Sequence, residues 1–380
     1  MEQPIAAMED LVDMTFWRKR RVLVTGHTGF KGGWLSLWLQ KAGADVCGYS
    51  LEPPTTPNLF EEAQVAKEMR SVIADIRDLD KLRHVFTEFR PEIAIHMAAQ
   101  PLVRTSYEDP LTTYAVNVMG TANFLEAVRG CDTARSVVVV TTDKCYENKE
   151  WHWGYREGDA LGGYDPYSNS KACAELVVSS YRNSFFNPEQ YSRHKVAIAT
   201  VRAGNVVGGG DWAADRLVPD IFRTFSDGRK AMIRNPEAIR PWQYVMDPLR
   251  GYLLVAQKLC EQGVEYGQAW NFGPDFSDMR SVEWIVSRLA RLWGENAEWV
   301  HNKGIEQPHE AGVLRLDCSK AAIELGWRPR LSLNSALEIT VEWYKARLSG
   351  DDMRSFTMNQ IEQYESLALS PAITSIGNGQ

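Results

Sequence analysis

Short, wholly apolar runs alternate with longer stretches of helical period over the first two hundred residues. Arg21-Val-Leu-Val-Thr25, Ile93-Ala-Ile-His-Met97, Val137-Val-Val-Val-Thr141 and Val196 to Val201 are continuous rather than alternating. That pattern predicts strands covered by helices on both faces. Asp45 to Tyr49 reads as a further strand. Between the runs, helical patterns span Lys31 to Ala42, with Gly43 just past the end, and Pro110 to Arg129. A third helix carries Tyr167 and Lys171 and runs to about Ser184. Repeated strand–helix–strand units predict a doubly wound parallel α/β sheet.

The rhythm changes near residue 204. Gly208-Gly-Gly-Asp-Trp212 reads as a loop, and short strands then mix with helices at Pro248–Cys260, Ser281–Trp293 and from Asn334, a candidate N-cap, to Arg347. Four regions follow: an extension over 1–20, a first α/β region over 21–204, a smaller α/β region over 205–350 with some chain returning to the first, and a polar segment of undetermined fold over 351–380. A cleft is expected between the two main regions.

Composition narrows the function classes. The chain has 380 residues, 44% of them hydrophobic, enough for a large core. Lys plus Arg number 42 against 49 acids, a net charge of -7. That balance disfavours a nucleic-acid partner while leaving room for a local phosphate pocket. The six cysteines form no Cys-x-x-Cys pair, so neither a disulfide frame nor a metal site is predicted. No apolar run approaches the roughly 20 residues that cross a bilayer, and the first residues carry acids instead of an apolar leader. A cytoplasmic protein without a membrane partner is the expectation.

The candidate chemistry lies at strand ends. Thr25-Gly26-His-Thr28-Gly29-Phe30-Lys31-Gly32 follows the first strand and opens a helix. Glycines there let backbone approach a pyrophosphate, and the helix start offers unpaired N–H groups. An acid for an adenosine ribose is expected about 20 residues on. Glu52 stands slightly late for that and reads equally as a surface charge. The absence of an arginine just after this strand favours NAD over NADP. Asp75, with Ile76, is a candidate for the adenine, or else a solvated loop acid. Ala98-Ala99-Gln100 ends the strand that holds His96; the small alanines suit a cofactor lying on the backbone, and His96 reads as a packing residue.

Tyr167 and Lys171, at i and i+4 on a helix, leave the same face. A nearby ammonium would hold the phenol below its usual pKa of about 10. Such a phenolate beside a nicotinamide is a base for a sugar or alcohol hydroxyl. Thr141-Thr142-Asp143-Lys144 ends the neighbouring strand. Thr142 can bond a substrate hydroxyl; Asp143 and Lys144 add an acid and a base, or form a local salt bridge. Arg104, Asn205, Arg216 and Arg240 are candidates for a diphosphate, each with a bland surface reading beside it. Trp212 and Trp242 can stack on a base or fill core.

In this order, the glycine turn, Ala-Ala strand end, Thr-x-x-Lys, Tyr-x-x-x-Lys and Arg202-Ala-Gly-Asn205 resemble the extended short-chain dehydrogenase/reductase family over roughly residues 20 to 350. The resemblance implies a Rossmann fold, bound NAD, a nucleotide-sugar substrate, and a homodimer or homotetramer. Gly-His-Thr-Gly-Phe-Lys-Gly (26–32), Pro-Pro-Thr-Thr-Pro-Asn-Leu-Phe (53–60), Thr-Thr-Asp-Lys-Cys-Tyr (141–146), Gly-Gly-Gly-Asp-Trp (208–212) and Arg-Pro-Trp-Gln (240–243) point within it to nucleotide-sugar dehydratases. Several branches carry an acid where Lys144 stands. An arginine used for the sugar diphosphate in related enzymes has no clean match near Ala311-Gly-Val-Leu-Arg315. By resemblance, Tyr167 and Lys171 serve oxidation at carbon 4, Lys144 takes the carbon 5 proton, and Asp143 protonates the leaving hydroxyl. An epimerase, or a non-catalytic NAD(H)-sensing protein on the same fold, are the alternatives.

Overall fold

The computed structural model describes residues 12–294, 297–302 and 313–367. Seven strands form its central sheet: β1 Arg21–Thr25, β2 Asp45–Ser50, β3 Arg70–Ile73, β4 Ile93–His96, β5 Ser136–Val140, β6 Ala197–Ala203 and β7 Ala269–Phe272. Their order is β7-β6-β5-β4-β1-β2-β3, and every pairing is parallel. Successive side chains along a strand face opposite sides. Val22, Val24, Ile93, Ile95, Val138 and Val140 therefore enter one helix layer, while Leu23, Ala94, Val137 and Val139 enter the other. Both layers are apolar, which explains the continuous runs in the sequence.

The chain winds outward through β1, β2 and β3, then crosses to β4 and winds the other way. The strand order reverses between β1 and β4, where a crevice opens at the strand C-termini. The glycine turn ends β1, and Ala98-Ala99 follows β4.

Helix α1 (Phe30–Lys41) starts in that crevice, and Gly32 through Gln40 are buried without a break. A helix buried all round needs cover on its outer side. The cover is the segment expected to be of undetermined fold: Met353–Ser366 forms a helix. Trp38 donates to Glu365 at 2.7 Å, and Arg354 donates to the Gln64 carbonyl at 2.9 Å. The expected N-terminal extension also changes character. Residues 1–11 lie outside the described residues, but Met14–Trp17 is a helical turn capped by Asp13, and Trp17 is fully buried.

Two other boundaries shifted. The helix expected from Pro110 to Arg129 comprises Pro110–Tyr114, a π turn at Ala115–Met119 and Gly120–Arg129. The expected cap at Asn334 is replaced by Ser332, whose hydroxyl accepts from the Ser335 amide one turn into Leu333–Ser349. The second half contributes β7 to the sheet, and three two-stranded pairings lie outside it.

Candidate active site

The glycine turn is built for close approach. Gly26 has φ +80°, a conformation in which a side chain is strained, and a Cβ there would lie 2.8 Å from the Ala98 amide nitrogen. A Cβ on Gly32 would lie 2.1 Å from the Gly26 carbonyl oxygen. Gly29 caps α1 without a side-chain bond, and no acid stands in the first turn. The helix start thus presents free N–H groups and its positive end to the crevice, as an anionic diphosphate requires. Thr28 ties this turn to the end of β2: its hydroxyl lies 2.8 Å from the Ser50 hydroxyl and donates to the Leu51 carbonyl.

One cavity of about 1370 Å³ extends from this turn across the strand ends into the second half of the chain. It exceeds the range of roughly 300–1,000 Å³ typical of single-ligand pockets, so it has room for a dinucleotide and a second ligand. Gly26, Thr28, Gly29, Phe30, Lys31, Gly32, Asp75, Ile76, Ala98 and Ala99 line it, as do Thr142, Asp143, Lys144, Tyr167 and Lys171. Arg104, Asn205, Arg216, Arg240 and Trp242 line it too. Gln100 stands apart from this set. Its side chain is engaged with Leu102 and Thr113, where it braces the backbone after β4.

Several side chains arrive already engaged. Arg77 binds Asp75 bidentately and holds its carboxyl below the usual carboxylate range. Arg104 pairs with Asp215 at 3.2 Å, and Arg216 with Asp211 at 3.0 Å. Trp242 is buried, and its indole N–H has no hydrogen-bond partner among the described residues. Trp212 is buried edge-on to Tyr344 and also lines the cavity. Glu52 stays exposed at the cavity rim. His96 is a packing residue, with Nδ1 2.8 Å from the Thr25 hydroxyl. Near Ala311, which lies outside the described residues, Arg315 donates to the His152 carbonyl at 2.6 Å.

Tyr167 and Lys171 sit in the first turns of Pro166–Ser184, a helix that Asp165 caps through the Ser168 amide and that carries Pro166 at its first position. Both face the cavity and both are largely buried. The expected depression of the Tyr167 pKa is not found. Burial pushes the phenol up to about 12, opposed by the Thr142 hydroxyl and the Arg216 charge. Lys171 instead donates to the Val140 carbonyl at 3.2 Å, and burial pushes its own amine down to about 8. Desolvation of the phenolate outweighs the cationic help within this chain.

One turn further along, Glu175 extends the same helix face. It accepts from Arg202 in two bonds of 2.9 Å, and also from Thr141 and Thr200. Burial alone would raise this carboxyl, but Arg202 holds it below its ordinary value. This buried cluster fixes the helix to β5 and β6, directly behind the cavity. Sequence reading missed Glu175, though its spacing from Tyr167 and Lys171 is helical.

Thr142, Asp143 and Lys144 form a short turn after β5. The Thr142 hydroxyl donates to Asp143 Oδ1 at 3.0 Å. Burial raises the Asp143 carboxyl, partly offset by the Lys144 charge. Its other oxygen, Oδ2, is buried with no hydrogen-bond partner among the described residues. Asp143 and Lys144 form no ion pair, so the local salt bridge left open by the sequence does not occur among the described residues. Lys144 is partly exposed to the cavity. Among the described residues no cluster of three or more His, Cys, Asp or Glu is arranged to hold a metal.

A dinucleotide turn, a Tyr–Lys pair and an acid–amine turn on a single doubly wound sheet define the class as nucleotide-sugar oxidoreductases and dehydratases of the Rossmann type. Residues 23–340 match the family described as GDP-mannose 4,6 dehydratase, and the chain belongs to that family. It is 55% identical, over 94% of its length and 99% of the relative's, to CDP-glucose 4,6-dehydratase of Salmonella typhimurium. It is 26% identical to dTDP-glucose 4,6-dehydratase of Haemophilus influenzae, over 85% of this chain and 97% of that one. A solved dTDP-glucose 4,6-dehydratase of Streptomyces venezuelae with NAD bound shares the fold at TM-score 0.73 and 22% identity, covering 87% of this chain and 99% of that one. UDP-glucose 4-epimerase of Thermus thermophilus, also with NAD, gives TM-score 0.73 at 24% identity, covering 86% and 99%.

Proposed function

We propose that this chain converts CDP-glucose to CDP-4-keto-6-deoxyglucose and water. The observation that carries the reading is the meeting of Tyr167 and Lys171 with Thr142, Asp143 and Lys144 in one cavity. The 55% identity to a CDP-glucose 4,6-dehydratase supports the choice of substrate. Bound NAD, held by the glycine turn, Ile76 and Ala98-Ala99, would supply a hydride acceptor that later returns the hydride. The fit of backbone to backbone at Gly26 and Gly32 favours that assignment.

The residues divide the remaining work. Tyr167 takes the proton of the carbon 4 hydroxyl, with Thr142 holding the same oxygen. Lys171 orients the nicotinamide ribose and adds positive charge near Tyr167. When NAD is bound, its positive nicotinamide would add to that charge, against the burial that raises the phenol. The carbon 4 ketone acidifies carbon 5, and Lys144 takes that proton. Asp143, whose carboxyl burial keeps protonated to higher pH, gives a proton to the hydroxyl leaving carbon 6. Arg104, Asn205, Arg216 and Arg240 hold the diphosphate, and Trp242 stands beside them. We assign NAD mainly to residues 21–204 and the nucleotide-sugar mainly to 205–350.

We also place the enzyme in a reducing cytoplasm as a homodimer or homotetramer. The six cysteines are all unpaired. Among the described residues no helix is long and apolar enough to cross a membrane. Leu111, Met119 and Leu176 lie 81%, 58% and 58% exposed on two packed helices and would be covered by a second copy.

Incubation with CDP-, dTDP-, UDP- and GDP-glucose side by side tests the reaction. The alkaline absorbance of a keto-sugar should rise with CDP-glucose at least tenfold faster than with the others. An epimer without keto-sugar would overturn the dehydratase reading.

A further inference from the structure

Three charged side chains from distant parts of the chain meet at the cavity. Arg104 stands in the helix Val103–Glu108, a few residues after the Ala98-Ala99 strand end. Arg234 directly follows the strand Ala231–Ile233 in the second half of the chain. Asp215 lies in the loop before the helix Leu217–Ser226. One carboxylate oxygen of Asp215, Oδ1, meets both arginines, Arg104 Nη1 at 3.2 Å and Arg234 Nη2 at 3.4 Å. All three residues line the cavity. Two guanidinium groups drawn to one anionic oxygen define a place built for negative charge.

The hold on Asp215 is loose. Charge-assisted N–H···O bonds run to about 2.7–2.9 Å, and an arginine fork is best filled by two oxygens. Here both arginines share one oxygen at longer distances, and among the described residues no other hydrogen bond or ion pair holds this carboxylate. Asp215 also has φ +59°, a conformation uncommon for residues other than glycine. A second acid stands nearby: burial raises the Asp220 carboxyl, and the Asp215 charge adds to that rise. Asp211 is the contrast. It is buried, pairs with Arg216 through Oδ2 at 3.0 Å and accepts from the Ala213 amide through Oδ1 at 3.2 Å, so both of its oxygens are fixed.

We propose that Arg104 and Arg234 form one clamp for the diphosphate of the nucleotide-sugar, and that Asp215 fills this clamp only until the diphosphate takes its place. The proposal rests on the diphosphate reading of Arg104 under "Proposed function" and adds Arg234, which no motif marks. A diphosphate offers each fork its own oxygens where Asp215 offers one to share, so both arginines gain bonds in the exchange. The Asp215 side chain is 40% exposed, so it can turn to water without burying its charge. Its departure also removes a negative group that would repel the incoming anion. Asp215 therefore weakens binding and favours ligands with enough negative charge to displace it. It acts on the clamp and does not meet the reacting carbons.

The test measures the Kd of CDP and of UDP by titration calorimetry on the NAD-loaded enzyme, with Asp215→Asn and Arg234→Gln beside the unmodified chain. Asparagine keeps the size of the side chain and tolerates the positive φ. Asp215→Asn should bind CDP roughly three- to tenfold tighter, and Arg234→Gln roughly fivefold or more weaker. UDP should shift by the same factors, because the clamp reads phosphates and not the base. A folding defect cannot mimic the tightening. If Asp215→Asn weakens CDP or leaves its Kd unchanged, Asp215 is a brace and the proposal is wrong. It is equally wrong if Arg234→Gln leaves the Kd within about twofold. Absence of keto-sugar when the unmodified enzyme is given CDP-glucose, with these shifts intact, would instead overturn the substrate assignment and leave the clamp standing.

Discussion

The two reactive pairs of the cavity are held in opposite ways. Tyr167 and Lys171 ride on a long capped helix, and Arg202 and Glu175 fasten that helix to the sheet one turn on. Thr142, Asp143 and Lys144 occupy a single short turn, and one carboxylate oxygen there has no partner among the described residues. The first pair is fastened to the sheet, and in the proposed reaction it serves the hydride step on a hydroxyl. The second is held by burial and one short hydroxyl–carboxylate bond, and in the proposed reaction it serves the loss of water. On the proposed reaction, the general step would be built into the scaffold and the particular step into a strand-end turn.

The largest expected effect stops both steps by removing the first pair's tyrosine. Tyr167→Phe removes the base for the first step, and kcat should fall by about 10²–10⁴, measured as keto-sugar formation. Reduction of the bound nicotinamide should be lost with it. Asp143→Asn should separate the pairs: elimination falls by roughly 10²-fold, while reduced nicotinamide, read at its near-ultraviolet absorbance, still forms on adding substrate.

Next comes the anchor behind the first pair. Arg202 and Glu175 are about 3% and 4% exposed and 2.9 Å apart. Arg202→Met leaves a buried carboxylate with only the Thr141 and Thr200 hydroxyls and no cation, and should cost about 3–5 kcal/mol in denaturant unfolding. The Glu175 carboxyl is held below its unfolded value, so the folded state binds fewer protons there. Its stabilisation is present above the ordinary glutamate range and is lost as pH falls through the lower folded value. Acid unfolding of Arg202→Met should accordingly lack that component.

The smallest effect concerns the cover over α1. Tyr364 donates to Asp247 at 2.6 Å between two buried side chains. Tyr364→Phe should cost about 1–3 kcal/mol, with hydrogen exchange rising in Met353–Ser366 and little change in either chemical step.

Much of this was legible in the sequence because the signals are local. The glycine turn and the i, i+4 spacing of Tyr167 and Lys171 follow from near neighbours. The cover helix was missed although Met353, Thr357, Ile361 and Tyr364 recur at helical spacing. Their partners are scattered along the chain, Trp343 for Thr357 and Asp247 and Trp38 for Tyr364, and the segment otherwise reads as polar. The π turn at Ala115–Met119 has no local marker. Lys31 was placed with the phosphate ligands, but its amine donates to the hydroxyl of Tyr252, which carries no motif. The phenol of Tyr167 was expected to be depressed because spacing reveals the lysine and not the burial. Gln100 looked like a ligand by position, yet Leu102 and Thr113 engage it first.

The central claim is that the turn serves elimination and the helix pair serves oxidation. Lys144→Ala tests it most directly, with reduced nicotinamide and keto-sugar followed in the same single-turnover experiment. The account predicts that reduced nicotinamide forms at close to the normal rate and accumulates, while keto-sugar formation falls by about 10²-fold or more. If the first hydride transfer collapses as far as elimination does, the division of labour between the two pairs is contradicted.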